Sequence, residues 1–264
     1  MYQFDYQRPA AVDDAAKIAG GDARYLAGGQ SLVQSMKLRL ASATTLVDLG
    51  ALADLRFIKV DANAVTIGAM TTHATVAGSK EVRAAIPALA ELAGGIGDPM
   101  VRNLGTIGGS VANADPAACY PSAVLGLDAT IKTNKRSIGS ADFFRGLFET
   151  ALEPGEMIVS VSFPIVKQAS YRKLRQPASR FALVGVFVAN APSGPRVAVT
   201  GAASAVFRAT EIETALKSSF TPDAIANIRI PGTGLNGDMH GSAEYRAAMI
   251  TVMARRGVAA SLAR

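Results

Sequence analysis

Cysteine, histidine and tryptophan are nearly missing from this chain of 264 residues, which has one cysteine, Cys119, two histidines, His73 and His240, and no tryptophan. A lone cysteine cannot close an internal disulfide, and one thiol with two imidazoles is too small a ligand set for a protein-built zinc or iron–sulfur centre. No metal-ligating residue is assigned. Aromatic residues make up 6%, and the tyrosines are dispersed. They form no row interleaved with basic side chains on which bases would stack, so nucleic acid is not an expected partner. Long apolar runs are also missing. The longest, Phe181 to Ala189, is far short of the ~18 to 20 residues needed to cross a bilayer, and no transmembrane segment is expected. The first ten residues carry Asp5, Arg8 and Pro9 where a secretory signal needs an apolar block, which makes the cytoplasm the expected location.

Apolar material itself is ample. Hydrophobic residues are 49% and charged residues 18%, with a mean hydropathy of +0.23, a composition that folds around a core. The net charge of +6 is uneven: residues 1 to 164 hold 14 basic and 16 acidic side chains, and residues 165 to 264 hold 13 and 5. The basic excess lies wholly in the last hundred residues, where it is either a docking surface for an acidic partner or an ordinary solvated face.

Periodicity predicts a helix over Val12 to Ile18, a strand over Ala23 to Leu26, a helix over Leu32 to Leu40 capped by Ser31, and a strand over Thr44 to Leu49. Arg56 to Val60 and Ala64 to Ile67 flank Asp61-Ala62-Asn63 as a hairpin. Helices follow at Thr72 to Ala77 and Pro87 to Ala93. Between Gly94 and Gly109 six of sixteen residues are glycine, a density at which neither helix nor strand is expected. Tyr120 to Leu127 reads as a helix, and Ala129 to Thr133 and Met157 to Phe163 read as strands. Beyond Pro164 come strands at Ser170 to Leu174, Phe181 to Val188 and Arg196 to Ala202. Helices near Ala209 to Leu216, Pro222 to Asn227 and Ser242 to Leu262 end the chain. The class is α+β, with a boundary at residues 165 to 170.

Two glycine loops carry the chemistry. In Ala27-Gly28-Gly29-Gln30-Ser31-Leu32 a diglycine joins strand to helix, so backbone N–H groups, the Ser31 hydroxyl and the helix's positive end face one anion; the alternative is a purely structural turn. Asn103-Leu104-Gly105-Thr106-Ile107-Gly108-Gly109-Ser110 repeats the arrangement, and two such loops suit two phosphates unless the glycines merely permit close packing. Neither loop fits the P-loop or Rossmann signatures, and Gly108-Gly109-Ser110-Val111-Ala112 misses the nucleophile elbow at its last position. His73 reads as a surface residue and Cys119 as a small buried hydrophobe, so no residue is assigned a catalytic role.

These loops, with Lys37-Leu38-Arg39-Leu40-Ala41 after the first and Ala112-Asn113-Ala114-Asp115-Pro116-Ala117-Ala118 after the second, resemble the FAD-binding medium subunit of the molybdenum hydroxylases, the carbon monoxide dehydrogenase and xanthine dehydrogenase family. Echoes continue in order through Ile67-Gly68-Ala69-Met70-Thr71-Thr72, Phe143-Phe144-x-Gly146, Glu153-Pro154-Gly155-Glu156, Tyr171-x-Lys173-Leu174 and Glu244-Tyr245-Arg246. The resemblance implies an FAD-binding domain of the vanillyl-alcohol oxidase (PCMH) type over residues 1–168, in subdomains of about 1–55 and 56–168, then a smaller α+β C-terminal domain over 169–264. It implies that Ala27, Gly28, Gly29, Gln30, Ser31 and Leu32, with Thr106, Ile107, Gly108, Gly109 and Ser110, hold the FAD pyrophosphate. Asn113 and Cys119 would lie along the ribityl chain or ring, Ile158 near the isoalloxazine, and Lys173 at the flavin's polar edge, where a cation favours the reduced, anionic flavin. The chain departs from the family pattern at Cys119 and in Ser179-Arg180-Phe181, where aspartate is common.

The implied role is electron transfer. Electrons would pass from a [2Fe-2S] small subunit through FAD to an external acceptor such as a quinone, NAD or oxygen. The substrate would be oxidised on a molybdopterin-binding large subunit, within a heterohexamer of two heterotrimers. Two rival readings are a self-sufficient flavin oxidase and a cofactor-less scaffold or regulatory module of the same fold.

Overall fold

The computed structural model describes residues Met1 to Arg264. Its first unit contains β1 (Asp5–Gln7), α1 (Val12–Ile18), β2 (Arg24–Leu26), α2 (Leu32–Lys37) and β3 (Thr45–Asp48). The strands are parallel in the order β1-β3-β2, and the two helices are the crossovers that parallel neighbours require. Ala15 and Val47 are fully buried between these layers, with Leu49, Leu52 and Leu55 closing the small core. Helix α2 is shorter than its apolar spacing predicts. Arg39 enters the left-handed region at φ 60°, and Leu38 and Leu40 leave the helix for solvent.

The second unit starts with the expected hairpin of β4 (Ile58–Val60) and β5 (Ala64–Gly68), in whose turn the Asp61 carboxylate accepts the amides of Asn63 and Ala64 at 2.8 and 2.9 Å. Six helices follow: α3 (His73–Gly78), α4 (Lys80–Ala85), α5 (Pro87–Gly94), α6 (Pro99–Leu104), α7 (Ile107–Asn113) and α8 (Tyr120–Gly126). Then come β6 (Thr130–Thr133), β7 (Ser137–Gly139), the single turn α9 (Ser140–Phe143), the ribbon β8 (Phe144–Gly146) with β9 (Glu149–Thr150), and β10 (Ile158–Pro164). An antiparallel sheet of order β4-β5-β10-β6-β7 results, and its inward residues Val65, Ile67, Ile131, Val161 and Phe163 bury against α5, α7 and α8.

Two expectations fail in this unit. The glycine-dense stretch is not irregular throughout, because it contains α6 and the first three residues of α7. Local caps offset the poor propensity: Asp98 Oδ1 accepts Val101 N–H at 2.9 Å, Thr106 Oγ1 accepts Gly109 N–H at 3.1 Å, and Pro99 stands at the first helical position of α6. His73 is not on the surface either. It is 5% exposed, with its ring 5.4 Å from that of Tyr120. Glycine makes the room: a Cβ on Gly105 would lie 2.6 Å from His73 Nε2.

The last unit is an antiparallel sheet of β11 (Ala169–Arg175), β12 (Ala182–Ala191), β13 (Gly194–Thr200) and β14 (Phe207–Arg208), covered by α10 (Thr210–Ser218) and α11 (Ala243–Leu262). β12 is apolar at nearly every position because both of its faces are buried. Val184, Val186 and Val188 meet α10 and α11, while Phe187 and Ala189 point into the core of the five-stranded sheet. Ser170 Oγ donates to Gly257 O at 2.7 Å, and a Cβ on Gly257 would stand 2.8 Å from Val188, so α11 lies tightly on the sheet. Arg246, buried at the start of α11, donates to Leu183 O, Gly201 O and Asp238 Oδ2. The helix expected over Pro222 to Asn227 is one 3-10 turn, Asp223–Ile225.

Glu156 clamps the turn before β10. Its carboxylate, wholly buried, accepts from Arg136 Nε and Nη2, Thr133 Oγ1 and the Glu153 amide. Burial alone would raise its pKa, but these donors and the Arg136 charge outweigh it and hold the carboxyl at about 2. His73 moves the same way for another reason: burial, helped by the Arg102 charge, brings it from 6.5 down to about 4. The unfolded chain therefore takes up protons that the folded chain refuses. Stability due to His73 is lost as pH falls from 6.5 to about 4, and that due to Glu156 as pH falls from 4.5 to about 2. Urea unfolding followed against pH is expected to show both declines, the upper on the order of 3 kcal/mol. His73→Gln should remove the upper one and Glu156→Gln the lower; an unchanged pH profile in either variant refutes its assignment.

Candidate functional site

A cleft of about 740 Å3 runs between the first unit and the second, with one end reaching β11, and this volume is in the range of small-molecule and cofactor sites. Its walls hold both diglycines. The first loop approaches the second more closely than any side chain would allow: a Cβ on Gly28 would stand 2.0 Å from Leu104 O and 2.8 Å from Gly105 Cα. Gly29 follows at φ +69°, a left-handed conformation in which glycine carries no steric penalty. The N–H groups of Gly28, Gly29, Gln30, Ser31 and Leu32 donate to no group within the chain. Ser31 sits at the start of α2, but its hydroxyl does not cap it, which leaves that hydroxyl unengaged as well. Five consecutive free amides and a hydroxyl beside an open cleft form a binding concavity for an anion.

The second loop is made differently from the first. Ile107 N–H donates to Thr71 O at 3.1 Å, Gly108 N–H to Ala69 O at 2.9 Å and Ser110 N–H to Thr106 O at 3.0 Å, while Gly109 N–H is held by Thr106 Oγ1. These amides are already used. The glycines serve closeness: a Cβ on Gly108 would lie 2.5 Å from Ala69 Cβ. Gly109 thus brings bare backbone to the cleft wall opposite Ala27, and Thr106 and Ser110 add hydroxyls.

Of the residues assigned from the sequence, Ala27, Gly28, Gly29, Gln30, Ser31, Leu32, Thr106, Gly108, Gly109, Ser110, Asn113, Cys119, Ile158 and Lys173 line this one cleft. Ile107 does not, since its side chain is fully buried in the core and its amide is bonded to Thr71. Cys119 is buried as expected. Lys173 is anchored on it: Nζ donates to Gly95 O at 2.8 Å, to Arg180 O at 3.0 Å and to Cys119 Sγ at 3.4 Å. Tyr171 lies beneath, its hydroxyl pushed well above the ordinary range by burial and by the neighbouring Cys119.

Several lining residues escaped the sequence reading. Tyr25 donates to Gly155 O at 2.8 Å across the cleft floor, and burial pushes its hydroxyl up to about 12. Gly155, at φ +71°, packs so closely that a Cβ would meet Ala19 O at 2.5 Å. The Glu153-Pro154-Gly155-Glu156 motif was the available signal for this contact. Asp115 lines the cleft with its pKa raised by burial, against a lowering bond from the Ala117 amide. His73 Nδ1, a buried polar atom with no partner, also belongs to a cleft-lining residue, and nothing in its sequence context marked it. Free amides, hydroxyls and a long apolar wall suit a large ligand that carries phosphate at its middle and an apolar ring at one end.

The family described as "FAD binding domain in molybdopterin dehydrogenase" matches residues 2–166. The chain is 35% identical to the carbon monoxide dehydrogenase medium chain of Afipia carboxidovorans, over 99% of this chain and 97% of the other. It is 32% identical to the glyceraldehyde dehydrogenase medium chain of Sulfolobus acidocaldarius, over 95% of each. Its backbone superposes on the reconstituted CO dehydrogenase from Oligotropha carboxidovorans with a TM-score of 0.90 at 33% identity, covering 100% of this chain and 99% of that one. Those relatives are chains of multi-subunit oxidoreductases, and no helix here is long and apolar enough to cross a membrane. Sequence and backbone thus agree from end to end, and the chain belongs to the family of FAD-binding domains of molybdopterin dehydrogenases, with FAD as its cofactor.

Proposed function

We propose that this protein is the cytoplasmic flavoprotein subunit of a molybdenum hydroxylase, with residues 1–168 holding FAD and residues 169–264 forming the C-terminal domain. In this reading a [2Fe-2S] small subunit delivers electrons and a molybdopterin-binding large subunit oxidises the substrate. The complex is a heterohexamer of two heterotrimers, and an external acceptor takes the electrons away. Bound FAD supplies the redox chemistry; this chain supplies position and electrostatics. The observation that carries the reading is the run of unpartnered amides from Gly28 to Leu32 on the wall of a cleft large enough for a dinucleotide.

Each group then has a task. The amides of 28–32 and the Ser31 hydroxyl would donate to the pyrophosphate oxygens, with Thr106, Ser110 and the bare backbone of Gly108 and Gly109 on the facing wall. Ile158 and Ala118 give an apolar surface to the ring, Asn113 a polar group to the chain between, and Lys173 a fixed positive charge near the ring's edge. The Tyr25 to Gly155 bond keeps the two walls at a set spacing, and the buried Glu156 carboxylate keeps Gly155 where Tyr25 reaches it.

Gly28→Ala is expected to weaken FAD retention at least about ten-fold, because the added Cβ drives the first loop off the Leu104 carbonyl. Absorbance of the yellow protein after dialysis, beside a thermal melt of the same sample, reads this; full flavin retention in a folded variant refutes the pyrophosphate assignment. Lys173→Met removes the cation and should lower the flavin midpoint potential by about 30 mV or more, measured by dye-equilibrated titration. An unmoved potential places Lys173 away from the ring.

A further inference from the structure

The end of the cleft nearest β11 carries more positive charge than the one cation, Lys173, given a role toward the flavin. Three cations converge on the short segment Gly95–Gly97. Arg102 Nη1 donates to Ile96 O at 2.8 Å and Gly97 O at 3.3 Å, Lys173 Nζ donates to Gly95 O, and Arg175 Nη2 lies 3.8 Å from the Cβ position of Gly95. Arg180, whose backbone carbonyl accepts from Lys173, lines the same cleft. None of the four forms an ion pair. The nearby acids are engaged elsewhere: the Asp98 carboxylate accepts the Val101 amide at the start of α6, and Glu91 is bonded to Arg264.

The same rim holds an aromatic ring out of the core. Phe181 lines the cleft and is 48% exposed, with its N–H bonded to Ser179 Oγ. Arg180 before it sits in the left-handed region at φ 62°, unfavourable for a residue with a Cβ. Uncompensated positive charge at a cleft mouth steers and concentrates anions, and an exposed ring beside it offers a stacking surface.

We infer that this rim is the docking site for the external electron acceptor, and that the acceptor is a small anionic aromatic molecule whose charged group pairs with Arg175 and Arg180 while its ring lies on Phe181. The inference rests on the reading above that places the flavin ring beside Lys173. Arg175 and Arg180 are exposed, so their charge is available, whereas Lys173 and Arg102 are partly enclosed and set the background potential.

Equilibrium dialysis of the FAD-loaded full chain against anthraquinone sulfonate and against uncharged hydroxymethyl anthraquinone tests it. The sulfonate should bind about ten-fold more tightly at low salt, and most of that preference should vanish at about 0.2 M salt, where screening acts over about 8 Å. Arg180→Ser and Arg175→Ser should each cut the preference about three-fold, Arg180→Lys should largely restore it, and Phe181→Ala should weaken both quinones alike. A chain that takes up no flavin refutes the functional reading. A yellow chain that binds both quinones equally, or whose preference survives the arginine substitutions, refutes the acceptor site alone. So does a preference present in the isolated chain but lost in the assembled complex, since the rim then faces a protein partner.

Discussion

The contact between Gly28 and the Leu104 carbonyl is the constraint on which the site depends. Leu104 ends α6 in the second unit, and Gly28 belongs to the loop between β2 and α2 in the first. At that separation only a hydrogen atom fits between the two backbones. One unit's loop is therefore stopped by the other's helix end, and this cleft-lining loop keeps five amides that donate to no group of the protein. Unpaired backbone donors persist where a ligand or water satisfies them. The same contact thus closes the tertiary fold at this edge and creates the binding surface.

The two glycine loops look alike in composition and work by different physics. The first contributes hydrogen-bond donors, because its backbone has no neighbours to bond with. The second contributes proximity, because its amides are spent on Ala69, Thr71 and Thr106 and its glycines clear the space between α7 and β5. A matching pair of clamps holds the far side of the cleft. Gly155 packs on Ala19 and accepts from Tyr25, while the Glu156 carboxylate gathers Arg136, Thr133 and the Glu153 amide. Buried charge of this kind persists only when fully hydrogen-bonded, and here every donor is a nearby group of fixed geometry.

Elements with a clear period were legible in advance. The hairpin around Asp61, the strand pair of β11 and β12 and the long α11 follow from alternation, turn chemistry and capping that act within a few residues. Misreadings came where tertiary contact overrode local preference. The glycine-dense stretch became partly helical because Asp98 caps α6 and Thr106 caps α7, whose Ile107, Gly108 and Val111 are buried. His73 was drawn inside because Gly105 leaves room for an imidazole. Ser31 occupies a cap position without capping, and Ile107, in a loop otherwise facing the cleft, turns its side chain to the core.

The sequence by itself determined the apolar periods, the glycines and caps, the scarcity of cysteine and histidine and a string of motifs distinctive enough to point to a flavin subunit, because each of these is a property of composition or of neighbouring residues. Only the tertiary structure decided which amides stay free, that Lys173 rests on Cys119 and the Gly95 carbonyl, that Tyr25 reaches Gly155, and that Arg102, Lys173 and Arg175 gather on one short segment. Those facts depend on separations across the chain, and such separations are set by packing, which no local pattern encodes.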